Sequence, residues 1–105
     1  MRGWAPGVVV TVGMLVASSG LGADPAKGKV LFDLCGACHD PGSAEKRVGP
    51  GLKGLFKRAR LSNRKPVTEK NVRTLIDEGA AGMPAFQDMF SSEEKDHLIA
   101  YLKTL

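Results

Sequence analysis

Residues 35–39 read CGACH, and Cys35 and Cys38 are the only cysteines in a chain of 105 residues. A lone Cys-x-x-Cys pair with a histidine attached suits three chemistries: a disulfide, a zinc site or a haem. A bridge across two residues closes so small a loop that it constrains the unfolded chain little. As a redox dithiol the pair would sit in a βαβ unit, and no strand-rich run surrounds it. Zinc takes four ligands; here only Cys35, Cys38, His39 and the distant His97 exist, and adjacent Cys38 and His39 do not readily face one tetrahedral ion. The haem reading uses every residue. Cys-x-x-Cys-His is the attachment sequence of c-type haem. Cysteines at i and i+3 share a helical face, where each can bond a vinyl group of one ring. The histidine that follows then reaches the iron.

The start of the chain agrees with that reading. Arg2, the apolar run VVVTVGMLVA (residues 8–17) and the small residues SSGLGA follow the order of a secretory signal, with cleavage expected after Ala23. The apolar run is shorter than the roughly 20 residues that span a bilayer, and an uncleaved membrane anchor is the alternative. Covalent haem attachment of this kind takes place outside the bacterial cytoplasm, so the expected location is the periplasm. Residues 1–23 are thus expected to be a signal and residues 24–105 one domain. Such a domain is small for a self-sufficient core and often needs a cofactor. Its aromatics are only Phe32, Phe56, Phe86, Phe90 and Tyr101. A buried haem would supply the missing apolar bulk.

The pattern after residue 23 is helical. Asp24 reads as an N-cap with Pro25 at the first helical position, opening a helix that runs into the CGACH turn. Residues 40–51 are loop by composition. A short helical piece over 52–58 and a basic loop through Pro66 follow. Thr68 caps a helix with Val72, Leu75 and Ile76 on one face, stopped by Gly79. Ser91 and Glu94 form a capping box for the last helix, whose buried stripe is Leu98, Tyr101, Leu102 and Leu105. No β pattern and no repeat occurs. The expectation is an all-α fold of three to five helices wrapped around one covalently bound haem, with the first and last helices packed across each other.

A haem iron ligated by His39 has a second face to fill. His97 borders the stripe of the last helix beside Asp96 and reads as a solvated surface residue. Met89, in FQDMF, reads as core filler on a short helix. Met83, in AAGMPAF, lies between Gly79, Gly82 and Pro84, which impose an irregular, extended segment. A methionine on a rigid loop can turn its sulfur sideways into a pocket. Met83 is the strongest candidate.

The stretches GKVLFDLCGACH, VGPGLKGLF and GAAGMPAF, followed by a last helix containing Tyr101, resemble the class I monohaem cytochromes c over residues 24–105. The resemblance implies one covalent haem c per chain, held through Cys35 and Cys38, with His39 as proximal and Met83 as distal ligand. It also implies that Pro50 presents its carbonyl oxygen to the other nitrogen of His39. One position departs from the family, which places an aromatic four residues before the first cysteine. Here that residue is Leu31, and Phe32 is three before; either Leu31 takes over the helix contact or the first helix is rotated by one residue.

Charge is unevenly spread. Residues 46–73 hold ten Lys or Arg against one acid, Glu69, whereas the whole chain carries only +4. The run KRARLSNRK, residues 57–65, reads as an exposed loop that steers an acidic redox partner, with one or two arginines folding back onto the haem propionates. Nucleic acid is a poor alternative for an exported chain without a stacking surface. No pairing of carboxylates and no Ser–His arrangement suggests catalysis. The expected function is a soluble one-electron carrier outside the cytoplasm, not an enzyme. The competing readings are a haem c subunit or docking module of a larger oxidoreductase, and a gas sensor or weak peroxidase with an open distal site.

Overall fold

The computed structural model describes residues 22–105, together with Gly7. The expected secretory signal, residues 1–23, lies outside the described residues except for Gly7, Gly22 and Ala23.

Three α-helices carry the fold: α1 (Pro25–Leu31), α2 (Glu69–Glu78) and α3 (Ser92–Leu102). Two 3₁₀ turns, Phe32–Leu34 and Leu55–Lys57, supplement them. Among the described residues there is no strand, only the isolated bridges Arg60–Pro66 and Ala80–Met83. Each helix starts where its capping chemistry places it. The Asp24 carboxylate accepts from the Ala26 N–H at 2.9 Å, and Pro25 occupies the first helical position, where its missing N–H leaves no bond unmade. Thr68 accepts from the Asn71 N–H at 3.0 Å. Ser91 and Glu94 satisfy each other's backbone N–H groups in a complete capping box. α2 stops at Gly79, whose φ of +73° is a conformation that L side chains rarely adopt.

α1 and α3 cross where Gly28 meets the backbone of His97. A Cβ built on Gly28 would fall 1.9 Å from the His97 carbonyl oxygen and 2.7 Å from Tyr101 Cβ, so only glycine allows this approach. One turn further, Phe32 is buried and its ring centroid lies 5.3 Å from that of Tyr101, tilted by 56°. Such an aromatic pair contributes about 0.5–1.5 kcal/mol beyond its area burial. Phe32, not Leu31, therefore makes the aromatic contact with the last helix. The three-residue spacing to Cys35 is absorbed by tighter winding: the Cys35 N–H donates to Phe32 O at 2.8 Å, an i→i+3 bond. In that winding residues i and i+3 eclipse, so three residues complete the turn.

The core is one cluster: Phe32, Leu55, Leu61, Val72, Ile76, Phe86, Phe90, Leu98, Ile99 and Leu102. It corrects four sequence expectations. His97 is buried at 8% exposure rather than solvated, and its Nδ1 accepts from the Asp24 N–H at 2.8 Å. It thereby ties the start of α1 to α3, and the remaining ring proton sits on Nε2, facing Glu93. Met89 is not core filler; it lies in a turn, 56% exposed, between buried Phe86 and Phe90. Leu61, inside the basic run, is core. The buried face of α3 is also wider than its stripe, taking in Lys95 and Ile99 while Tyr101 and Leu105 are only half-buried.

Candidate cofactor site

CGACH folds as one tight helical turn directly after the 3₁₀ segment. The Cys38 and His39 N–H groups both donate to Cys35 O, at 3.1 and 2.9 Å. The two cysteines are unpaired and half-buried. Burial, reinforced by neighbouring Cys38, pushes the Cys35 thiol up to about 11. It is therefore a neutral thiol at ordinary pH.

The chain then returns beneath this turn. The Gly49 N–H donates to Cys38 O at 2.8 Å, and the Arg47 guanidinium donates to Gly36 O at 2.8 Å. The result sets His39 against the next residue of the loop: His39 Nδ1 lies 2.7 Å from Pro50 O. A carbonyl only accepts, so Nδ1 carries the proton and the Nε2 lone pair is free. Gly49 presses on the ring itself. A Cβ there would fall 2.5 Å from His39 Cε1. Gly51 is similarly pinned, its built Cβ 2.2 Å from Ser43 O. Sequence reasoning gave no role to Arg47 and met Gly49 only inside the stretch VGPGLKGLF, because neither belongs to a repeat, a cap or an apolar stripe.

Met83 lies on a separate loop. Ala80 and Met83 exchange both backbone hydrogen bonds, at 3.1 and 2.9 Å, around a turn in which Gly82 has φ +80°. The loop's return is tied to the last turn of α2 by Phe86 N–H to Ile76 O at 2.9 Å and Gln87 N–H to Asp77 O at 3.2 Å. Met83 and Cys35 both pack, half-buried, on the margin of the common core, as do Leu52, Phe56, Val67 and Leu75. The donor set fits a haem: two unpaired thiols one turn apart, an imidazole with Nε2 free, and a cradle behind that ring which admits no side chain.

Residues 21–102 match the family model described as cytochrome c oxidase, cbb3-type, subunit III. The chain belongs to that family. It is a class I monohaem c-type cytochrome-like domain, haem c is its cofactor, and electron transfer is its chemistry. No curated protein matches the chain.

A surface groove runs between α2 and α3 beside Glu69, Lys70, Arg73 and Asp96, and none of Cys35, Cys38, His39, Pro50 or Met83 lines it. Arg73 bridges the two helices there through Asp96 and Ser92. In the basic run, Arg58 is a loop brace: its guanidinium donates to Gly51 O and Lys53 O, both at 2.7 Å. Lys57, Arg60, Arg64 and Lys65 are exposed, and among the described residues none of these four is in an ion pair. No helix among the described residues is long and apolar enough to cross a membrane.

Proposed function

We propose that haem c is attached through Cys35 and Cys38, that His39 and Met83 hold the iron from its two sides, and that the domain passes single electrons between protein partners outside the cytoplasm. The observation that carries this reading is His39: Pro50 O accepts a hydrogen bond from Nδ1–H and leaves Nε2 as the only ligating nitrogen. When bound, the haem supplies a centre that gains and loses one electron. The chain's own residues set the terms. Pro50 orients the imidazole and raises its basicity as a ligand. A thioether from Met83 favours the reduced iron and raises the potential. With His39 and Met83 both holding the haem, the site would offer a substrate no place to bind, and the chemistry the haem would supply is one-electron transfer.

Residues 1–23 act in this reading as the export signal, which places haem attachment beyond the cytoplasm. Lys57, Arg60, Arg64 and Lys65 give a positive face for an acidic partner, its reach screened to roughly 8 Å at physiological salt. The bimolecular transfer rate should fall as salt rises, and fall less in an Arg64→Glu, Lys65→Glu variant. A second reading is favoured by the family's description: the domain works as the haem c module of a larger oxidase rather than as a free carrier. Elution of the native protein with partner subunits on size exclusion supports the module; elution as a monomer supports the carrier. Intact mass after acid–organic extraction tests the core of the proposal. A gain of one haem is expected, and alkylation of both Cys35 and Cys38 as free thiols would contradict it.

A further inference from the structure

α3 carries a buried cation that the proposed electron-transfer chemistry does not use. Lys95 is 7% exposed. Its Nζ donates to Gln87 O at 3.0 Å and lies 2.7 Å from Asp77 Oδ1. That carboxylate oxygen is buried and no aligned hydrogen bond reaches it, so it meets the ammonium by charge attraction alone. The three groups come from three places: the last turn of α2, the return of the Met83 loop, and α3. Among the described residues, Lys95 makes the one side-chain hydrogen bond into residues 79–90. Without it, the hydrogen bonds from the loop's return to the helices are those of the Phe86 and Gln87 N–H groups, both to α2, beside the core packing of Phe86 and Phe90.

Desolvating two charges offsets most of their attraction, so a buried ion pair adds little net stability, and replacing both partners by neutral groups is often harmless. The contribution of this one is then geometric. We propose that Lys95 is a positioning residue for Met83: it locks the loop's return against α2 and α3 and so keeps the thioether at the iron. This rests on the reading of Met83 as the distal ligand.

The test uses the haem-loaded protein and two readouts that do not depend on activity. One is the weak near-infrared sulfur–iron charge-transfer band of the oxidised form; the other is the rate at which added imidazole displaces the native ligand. A Lys95→Met, Asp77→Asn variant, with both charges removed, should keep its helical circular dichroism. It should lose the band at a lower temperature than wild type and bind imidazole at least tenfold faster. Lys95→Arg, which keeps a cation at the site, should return the rate toward wild type. A folded double variant that binds imidazole at the wild-type rate overturns the proposal. Should the variants not fold, amide exchange of wild type decides: the Met83 and Gln87 N–H groups should be as protected as that of Gly79, and free exchange of both overturns the proposal. A wild type lacking the band defeats Met83 ligation and this inference together. A wild type with the band and an unchanged double variant defeats this inference alone.

Discussion

The two candidate iron ligands sit on loops held in different ways. His39 is fixed locally. Its turn is closed by bonds to Cys35 O, its ring by Pro50 eleven residues on, and the loop below it by Gly49 N–H and Arg47. Met83 is fixed from a distance, by a tight turn of its own and by a return that depends on Asp77 and Lys95. The bonds on the His39 side all lie within residues 35–50, so they re-form after a fluctuation without help from α2 or α3. The Met83 side needs α2, α3 and the loop to be docked together. Opening of the site should therefore begin at Met83, while His39 stays in place.

The largest effect expected is that of Lys95→Met alone. It leaves the buried Asp77 Oδ1 without its cation while the rest of that side chain stays 26% exposed, so the loss should reach about 3 kcal/mol, the low end for a broken buried pair. Chemical denaturation should show this loss, and Asp77→Asn added to Lys95→Met should recover most of it. A smaller effect sharpens the other side. In Gly49→Ala the new Cβ strikes the imidazole 2.5 Å away, so the ring must turn and its bond to Pro50 O lengthen. Overpacking of this kind costs about 1–3 kcal/mol. The reduction potential should shift while imidazole binding stays near wild type, because the Met83 loop is untouched. Equal acceleration of imidazole binding in this variant would erase the distinction between the two loops.

Gly79→Ala probes the Met83 side from its other end. The residue has φ +73° and ψ −171°, a region essentially reserved for glycine, and its built Cβ lies 2.5 Å from Met83 O. Strain of about 1–3 kcal/mol is expected, with the near-infrared band bleaching at a lower temperature. Met89→Ala should do least. An exposed side chain away from caps and cores changes stability within about 0.5 kcal/mol, so its denaturation midpoint should match wild type. A large loss there would return Met89 to the core that its neighbours Phe86 and Phe90 occupy.

How far the sequence was legible follows the same division between local and distant causes. Asp24, Thr68, Ser91 and Glu94 cap their helices, and Gly79 ends α2, because capping is settled within four residues. The class of fold followed from helical periodicity, and the expected crossing of the first and last helices is present. What failed was set by which residues meet across that crossing. His97 borders an apolar stripe and looks solvated until Gly28 lets α1 descend onto it and Asp24 supplies its Nδ1 with a donor. Lys95 reads as one more surface lysine, since nothing nearby in sequence announces Asp77 and Gln87 O. The offset of Phe32 from the family's aromatic position was visible, but its resolution required the change from α to 3₁₀ winding. In the site, the spacing of CGACH was plain, whereas the cradle made by Gly49 and Arg47 was not.

The assignment of the two loops to the two faces of the iron is tested most directly by the near-infrared spectrum of the oxidised protein in three forms. Wild type and Met89→Ala should both show the sulfur–iron charge-transfer band, and Met83→Ala should lack it while binding imidazole without delay. Loss of the band in Met89→Ala with its retention in Met83→Ala would contradict the account and move the distal ligand to the exposed turn.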